Sequence, residues 1–303
     1  MTPSTKIVVI AGPTACGKTA LAIELARRLG GEVVNADSQQ VYRGLDVGTA
    51  KPTPLERAAA HHHLLDLVDP GQGMDAARYQ ALADAAIVEV AGRGHLPVVV
   101  GGTGLYLRAL LHGVVEAPGR DPALRARLDA EAAEHGRPAL HARLAAVDPA
   151  AAARIGENDL VRIVRALEIA AGGRTASELH AAHAFAGDRH DASLFALDPP
   201  RPELHDRIDA RVEEMFAGGL LDEARALRAR FGAALPARLP IGYREAVAVV
   251  DGALVLPEAV RRVQVAHRRY ARRQVIWLRR ERGVIWLAPP FEVEALARRV
   301  AGG

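Results

Sequence analysis

The segment GPTACGKT at residues 12–19 constrains the fold of this chain more than any other part of the sequence. It fits the pattern G-x-x-x-x-G-K-[ST] and lies between a β-branched run, KIVVIAG (6–12), and a helical pattern, KTALAIELARRLG (18–30). In that position the N–H groups of the loop form a concave anion site, which predicts binding of a di- or triphosphate. The sequence therefore predicts an α/β fold of the P-loop NTPase type.

Four further segments carry a strand pattern: EVVNADS (32–38), LPVVVGGTG (96–104), LFALDPP (194–200) and GVIWLAPP (283–290). Because they alternate with helical segments, we expect a parallel sheet covered by helices. One helix is predicted at 202–219, with Leu204, Ile208, Val212 and Met215 on a single face. The Ala- and Arg-rich stretch 117–190 has helical spacing and few strand formers. We interpret it as a helical insertion domain between two parts of the catalytic core, 1–116 and 191–303.

Composition excludes several classes of protein. No apolar run reaches the ~18 residues that a membrane-spanning helix needs. Cys16 is the only cysteine, which excludes an internal disulfide and a thiolate metal cluster. A strand-like run begins at residue 6, so we expect no signal peptide and a cytoplasmic protein. Three adjacent histidines, 61–63, cannot all face one way on a regular element, and we interpret them as structural; Trp277 and Trp286 are interpreted as core residues.

Positive charge is concentrated in one segment. The chain has a net charge of +3, but residues 261–282 hold nine arginines and one glutamate, a local charge of +8, so the remainder sums to −5. Arginine concentrated in this way indicates a polyanionic partner. The alternative is a solvated helix face.

Asp37 follows the second predicted strand, at the sheet edge where α/β proteins bind their ligands. A carboxylate there suits a general base or a Mg²⁺ ligand, whereas the alternative is a helix cap or turn residue. The third predicted strand ends in Gly101, Gly102 and Thr103, which offer backbone donors and a hydroxyl but no carboxylate. Thr19 offers a second hydroxyl, suited to a Mg²⁺ that bridges phosphate oxygens.

Several long segments together resemble the tRNA dimethylallyltransferase family (IPP transferases). They are GPTACGKT, ADSQQVYRGLDVGTAKP (36–52), GGTGLYLRALLHG (101–113), RIDARVEEM (207–215), IGYREA (241–246) and RRQVIWLRR (272–280). The resemblance runs from about residue 6 to residue 287. It implies transfer of a dimethylallyl group from dimethylallyl diphosphate to N6 of the adenine 3′-adjacent to the anticodon of tRNA, with release of pyrophosphate. The loop would then hold a leaving group rather than a phosphoryl donor.

The resemblance also implies the site residues. Asp37 would take the amine proton; Thr19, Thr103 and Arg211 complete the catalytic set, and Mg²⁺ would bind at Thr19. Arg207 and Arg211 lie four residues apart on one predicted helix face, and we favour Arg211 as the arginine that meets the leaving group. Diphosphate contacts are implied for Gly12, Pro13, Thr14, Ala15, Cys16, Gly17, Lys18, Thr19, Arg207 and Arg211. Contacts with tRNA are implied for Asp37, Ser38, Gln39, Gln40, Thr103, Arg125, Val161, Arg162, Arg165, Gly242, Tyr243, Arg244, Arg272, Arg273, Gln274, Trp277 and Arg279.

The implied partners are the tRNA anticodon stem-loop and dimethylallyl diphosphate, with no membrane or protein partner and a monomeric chain. The sequence departs from the family pattern at Cys16, where serine is usual, and at Gln39, where the family often has Met, Arg or Ala. Three alternatives remain: an adenylate isopentenyltransferase, a small-molecule kinase, and a nucleic-acid-binding module with a degenerate loop. The arginine segment and the insert argue against the first, and the intact pair Lys18 and Thr19 argues against the last.

Overall fold

A parallel sheet carries the phosphate loop in this computed structural model, which describes residues 5–115, 117–119, 121–183 and 187–302. Among these residues six strands pair in the order β3-β2-β4-β1-β5-β6, and every neighbouring pair is parallel. The strands are β1 (Lys6–Ala11), β2 (Gly31–Asn35), β3 (His62–His63), β4 (Leu96–Gly101), β5 (Asp191–Leu197) and β6 (Ile285–Leu287). The predicted α/β fold with a helix-covered parallel sheet is confirmed.

Helices cover both faces of the sheet because the central strand is apolar on both. Ile7 and Val9 pack with the helices at 76–92 and 104–112. Val8 and Ile10 pack with the helices at 18–29, 201–217 and 293–301. Successive side chains of a strand point to opposite faces, so an uninterrupted apolar run requires a helical layer on each side. The helices are α1 (Lys18–Leu29), α2 (Pro54–Ala59), α3 (Ala76–Gly92), α4 (Gly104–His112), α5 (Pro122–His135), α6 (Arg137–Val147), α7 (Pro149–Arg154), α8 (Leu160–Ala171), α9 (Ala176–His183), α10 (Arg201–Ala217), α11 (Leu220–Phe231), α12 (Tyr243–Val250), α13 (Leu256–Leu278) and α14 (Val293–Ala301).

The apolar face predicted for residues 202–219 is confirmed on α10. Leu204 and Ile208 join the cluster beneath the sheet, and Val212 and Met215 join a second cluster with α11, α12 and α13. Helix α10 therefore spans two parts of the core.

The chain divides into two compact units, 1–112 with 188–303 and 113–187. The first holds the sheet. The second is helical, with its own core of Leu128, Leu140, Leu144 and Ile163. The predicted insert, 117–190, starts four residues and ends three residues after this unit, and the predicted boundary residue 116 lies outside the described residues. None of the described helices is long and apolar enough to cross a membrane.

Candidate active site at the phosphate loop

The loop between β1 and α1 has the backbone that its glycines predict. Gly17 adopts φ 91° and ψ 8° immediately before Lys18 begins α1, a left-handed conformation that glycine adopts at little cost. Ala15 also has a positive φ, 63°. In the described structure no side chain caps the N-terminus of α1. The first-turn N–H groups and the positive end of the helix dipole are thus directed at whatever occupies the loop.

A cavity of about 330 Å³ opens at this loop. It lies where the carboxyl ends of β1, β2 and β4 meet, as expected for ligand sites of parallel sheets. The loop contributes Thr14, Ala15, Gly17, Lys18 and Thr19 to its walls. The other charged residues that line it are Asp37, Glu56, Arg207, Arg211 and Glu214. The structure therefore brings together most of the residues predicted for diphosphate binding.

Three of the predicted diphosphate ligands, Gly12, Pro13 and Cys16, do not line the cavity. Cys16 is fully buried in the core cluster under α1, against Gly12. Burial raises the pKa of its thiol. The diphosphate contact implied for Cys16 therefore does not involve its side chain, because the thiol faces the protein interior.

Two cations in the cavity lack carboxylate partners. Lys18 is 9% exposed, and its Nζ donates to the carbonyl of Pro13 at 3.2 Å. Arg211 is partly buried, and desolvation lowers the pKa of its guanidinium. Among the described residues neither side chain forms an ion pair, although most arginines of this unit's other faces do. Asp37, Glu56 and Glu214 influence Arg211 through space without pairing with it, so both cations keep donors that a bound anion can use.

Arg207, one turn before Arg211 on α10, stands at the rim of the same cavity. Its side chain is 48% exposed and makes a long ion pair of 3.9 Å with Glu203. The predicted spacing is therefore confirmed, since both arginines face the cavity. Only Arg211 is held in a desolvated environment, which agrees with its choice as the inner cation.

Asp37 follows β2, closes a turn and lines the cavity. Its Oδ1 accepts the N–H of Gln39 at 2.9 Å, which closes a turn. Its own N–H donates to Asn35 Oδ1 at 3.2 Å. Within the described chain the Asp37 carboxylate forms no ion pair, and it lines the cavity with Lys18. The turn fixes one oxygen and leaves the carboxylate facing the cavity.

Thr103 ties the loop after β2 to the end of β4. Its Oγ1 accepts the N–H of Ser38 at 2.9 Å and lies 3.1 Å from Ser38 Oγ, to which it donates. Its carbonyl accepts the N–H of Tyr106 in the first turn of α4, at 2.9 Å. The hydroxyl is therefore bonded to the residue after Asp37, whereas the helix N-terminus is bonded to the Thr103 carbonyl.

Two side chains of α13 complete this end of the sheet, and the sequence did not predict the role of either. Tyr270 lies near Thr103, Gln39 and Asp37, and burial raises the pKa of its hydroxyl. Gln274 is 4% exposed and contacts the phosphate loop. The only available signal was their four-residue spacing within a segment dominated by arginine.

The nine arginines of residues 261–282 form two groups. Arg261 and Arg262 pair with Glu258, and Arg268 pairs with Asp209. In the part of the chain that the structure describes, the remaining six arginines form no ion pair: Arg269, Arg272, Arg273, Arg279, Arg280 and Arg282. Arg272, Arg273 and Arg279, which were predicted to contact tRNA, are exposed. A polyanion binds best to a cationic surface that neighbouring carboxylates do not neutralise. Arg261 and Arg262, by contrast, form a solvated face with Glu258.

Three predicted tRNA contacts have buried or packed side chains, which corrects those predictions. Tyr243 is fully buried and its hydroxyl donates to Glu223 at 2.6 Å. The amide of Gln274 is turned into the protein. Trp277 packs against Gly104 and beneath Arg108, whose guanidinium lies 5.4 Å from the ring centroid. These side chains hold secondary structure together instead of facing solvent. Trp286, interpreted as a core residue, is 36% exposed, so that prediction is wrong.

The other predicted tRNA contacts on the core are partly occupied. Gln39 accepts the N–H of Ile241 at 2.9 Å, and Gln40 donates to the carbonyl of Ala50 at 2.9 Å. Gly242 has φ 96° and precedes α12. The exposed Arg244 donates to the carbonyl of Ala237 at 2.8 Å. These residues form one connected surface around Asp37.

In the helical unit, Arg125 and Arg165 share one carboxylate. Arg125 donates through Nε and Nη2 to Glu168, both at 2.9 Å, and Arg165 Nη1 donates to it at 2.6 Å. The side chain of Glu168 is 1% exposed, and the hydrogen bonds, that from Arg125 first, lower its pKa to about 2. Val161 and Arg162, by contrast, are exposed.

The histidine run has a structural environment. His63, in β3, lies 2.6 Å from Glu32, which also accepts two bonds from Arg93 and contacts His95. Burial alone would raise the pKa of Glu32, but these hydrogen bonds lower it to about 2. Glu32, His61 and His63 lie close enough to hold a metal ion. The Arg93 guanidinium already neutralises Glu32, which favours the structural interpretation.

Comparison with known proteins identifies the family of this chain. The family model for IPP transferase matches residues 40–281. The tRNA dimethylallyltransferase of Anaeromyxobacter dehalogenans (strain 2CP-C) is 78% identical over 295 residues, 97% of this chain and 99% of that protein. A crystal structure of the full-length tRNA isopentenylpyrophosphate transferase from Bacillus halodurans is 39% identical, with a TM-score of 0.70, and covers 98% of this chain and 96% of its own. A eukaryotic dimethylallyltransferase acting on tRNA is 28% identical, with a TM-score of 0.79, over 94% of this chain and 74% of its own. The resemblance drawn from the sequence motifs is confirmed, and the chain belongs to the IPP transferase family.

Proposed function

We propose that this chain is a tRNA dimethylallyltransferase, which moves the dimethylallyl group of dimethylallyl diphosphate to N6 of the adenine 3′-adjacent to the anticodon. The observation that carries the proposal is one cavity in which a carboxylate, Asp37, lies beside two cations, Lys18 and Arg211, none of them in an ion pair with another described residue. The reaction needs a proton acceptor and an anion site within reach of one carbon atom. The relatives supply the substrate, because their names place the same reaction on tRNA.

The cations act on the leaving group. As the bond between C1 of the dimethylallyl group and the diphosphate oxygen breaks, negative charge grows on the diphosphate. Lys18, Arg211 and the N–H groups at the start of α1 face that charge and need no reorganisation to meet it. Preorganised donors of this kind typically lower a barrier by several kcal/mol, roughly 10²–10³ in rate for one donor.

Asp37 acts on the nucleophile. The exocyclic amine of adenine is weakly nucleophilic, and the carboxylate takes one N6 proton as the bond from N6 to C1 forms. The prenyl carbon passes from oxygen to nitrogen, the proton passes to Asp37, and pyrophosphate leaves. The Asp37 turn keeps the carboxylate in place before substrate arrives.

The adenine must leave the anticodon-loop stack to reach Asp37. Thr103 and Tyr270 adjoin Asp37 and are positioned to hold the flipped base, and the exposed arginines at the C-terminal end of α13 suit the phosphates around it. Arg272, Arg273 and Arg279 are the exposed, ion-pair-free members of that set predicted from the resemblance.

Mg²⁺ fits the donors of the cavity. The Thr19 hydroxyl and the carboxylates of Asp37, Glu56 and Glu214 line it, and Mg²⁺ prefers oxygen ligands completed by phosphate oxygens and water. Thr19 with one of these carboxylates would hold the ion, which would add positive charge to the bound diphosphate.

Incubation with radiolabelled dimethylallyl diphosphate and an unmodified tRNA tests the proposal. We expect label in the RNA, and none when guanine replaces the adenine 3′-adjacent to the anticodon. AMP in place of tRNA separates an adenylate isopentenyltransferase, which would label the free nucleotide. Phosphate release from ATP at a rate comparable to prenyl transfer would support a kinase instead and would overturn the proposal.

A further inference from the structure

One buried amide joins the phosphate loop to the helix that carries the arginines. The Gln274 side chain, on α13, accepts the N–H of Thr14 through Oε1 at 2.8 Å. Its Nε2 donates to the carbonyl of Gly102 at 2.9 Å. Gln274 is 260 residues from Thr14 and 172 residues from Gly102 in the chain, so these bonds connect three remote segments.

The space for this amide depends on the absence of a side chain at Gly102. An added Cβ there would lie 2.0 Å from Gln274 Nε2 and 2.9 Å from the carbonyl of Gly12. The end of β4, the phosphate loop and the α13 amide are therefore in direct contact. Both polar ends of Gln274 are satisfied, and its residue is 4% exposed, so the contact has a defined geometry.

The contact also determines which loop amides face the ligand. Thr14 lines the cavity, but its N–H is committed to Gln274. The peptide plane that ends at this N–H is thereby held turned away from the cavity. Diphosphate then meets the amides nearer the start of α1, together with Lys18.

The neighbours of Gln274 have a different environment. Arg272 and Arg273 are exposed, and the Arg273 guanidinium lies 5.6 Å from the Tyr270 ring centroid. Consecutive residues of one helix thus face solvent on one side and the phosphate loop on the other. The helix proposed to bind tRNA phosphates is bonded to the loop proposed to bind diphosphate.

We propose that Gln274 is a positioning residue for the phosphate loop, holding the Thr14 peptide so that the loop is preformed for diphosphate, and that it is not a tRNA ligand. The proposal rests on the proposed function for the identity of the diphosphate. Its principal measurement, however, uses inorganic pyrophosphate and requires no catalysis.

Gln274→Met keeps the length of the side chain and removes both hydrogen bonds. A net contribution of roughly 1 kcal/mol for each bond corresponds to a pyrophosphate Kd about 10- to 30-fold weaker. The Kd for tRNA should stay within about twofold. In transfer assays the KM for dimethylallyl diphosphate should rise by a similar factor while the KM for tRNA is unchanged. Arg273→Met is the matched control on the adjacent residue, and it should weaken tRNA and leave pyrophosphate unchanged.

Gln274→Glu keeps the acceptor for Thr14 and loses the donor to Gly102, and it serves if the Met variant does not fold. It too should weaken pyrophosphate and spare tRNA. Wild-type-like pyrophosphate affinity in either folded variant overturns the proposal, as does a parallel loss of tRNA affinity. Loss of a cooperative melt in both variants would assign Gln274 a general structural role, which also overturns it. A wild-type protein that binds pyrophosphate but transfers no prenyl group would refute the proposed function alone.

Discussion

Cations in two regions of this molecule have opposite electrostatic surroundings. At the phosphate loop, Lys18 and Arg211 line a cavity without forming an ion pair among the described residues. In the helical unit, Arg125 and Arg165 converge on the buried carboxylate of Glu168. The first pair is available to a ligand, whereas both members of the second are already bound to a carboxylate of the fold.

The role of an arginine therefore depends on whether a neighbouring carboxylate already binds its guanidinium. Four of these five groups were predicted from the sequence to bind substrate, and Glu168 was not singled out at all. Substituting a cation at the loop should change activity and leave stability nearly intact. Substituting a member of the Glu168 cluster should chiefly change stability. The following substitutions test this difference between the two regions.

The largest expected effect is that of Lys18→Ala. The leaving group loses its main side-chain partner, and prenyl transfer should fall by roughly 10³ or more. Initial rates with labelled dimethylallyl diphosphate measure it, with the exposed Lys6→Ala as control. The melting temperature without ligand should not fall, because no ion pair is broken; a large fall would place Lys18 with the structural cations.

Asp37→Asn should lower turnover by roughly 10²–10⁴, the usual cost of losing a general base. The amide oxygen can still accept the Gln39 N–H, so the turn and the tRNA affinity should persist. Asp198→Asn, exposed immediately after strand β5 and outside this cavity, is the control. Near-normal turnover of the Asp37 variant would show that Asp37 is a turn residue and not the general base.

Glu168→Gln should destabilise the helical unit by roughly 3–5 kcal/mol, since it leaves two arginines around a neutral side chain. Acid should destabilise the wild-type protein for the same reason, because it protonates Glu168. Its folded pKa, about 2, lies below the ordinary value of 4.5, so the stabilisation is complete above that value and is lost as pH falls toward 2. Denaturant melts between pH 7 and pH 3 measure both effects. Glu131→Gln, whose ion pair with Arg143 is more exposed, is the control; an equal loss there would contradict the prediction.

Replacing both Arg272 and Arg273 by alanine should weaken tRNA binding and reduce its dependence on salt. Each lost phosphate contact lowers the slope of log affinity against log salt by about 0.7–0.9, so the pair should flatten it by about one to two units. Arg261 and Arg262, paired with Glu258 on the same helix, give the matched double variant, which should change the slope less. If the plots of log affinity against log salt superimpose for the wild type and the Arg272 and Arg273 variant, these arginines form a solvated helix face and do not bind tRNA.

The smallest effect is expected from Cys16→Ser. The backbone N–H of Lys18 already contacts the thiol and can donate to a hydroxyl in its place. Diphosphate affinity should stay within about twofold and stability within about 1 kcal/mol, measured by calorimetry with pyrophosphate and by thermal melts. A large gain in affinity would show that the side chain reaches the ligand.

Much of the architecture could be predicted because its signals are local. The β-branched runs located β1, β2, β4, β5 and β6, and the loop pattern located the N-terminus of α1. The two-residue strand β3 has no such signal, because His62 and His63 join the sheet only through pairing with β2.

The site was predicted unevenly for the same reason. Asp37, Thr103 and the loop follow strand ends, so their convergence is a property of parallel sheets. The inward orientation of Gln274 and Tyr243 depends on contacts with residues far away in the chain, at Thr14 and Gly48. No periodicity of α12 or α13 distinguishes such a side chain from an exposed polar one.

The unpaired cations at the loop also have a consequence for the purified protein. A site that binds an anion only in the folded state adds RT ln(1 + [L]/Kd) to the unfolding free energy, about 2.7 kcal/mol when the anion is at 100 times its Kd. Phosphate or pyrophosphate in a buffer would therefore raise the melting temperature without any change in sequence. The thermal stability of the purified protein therefore depends partly on the anions of its storage buffer.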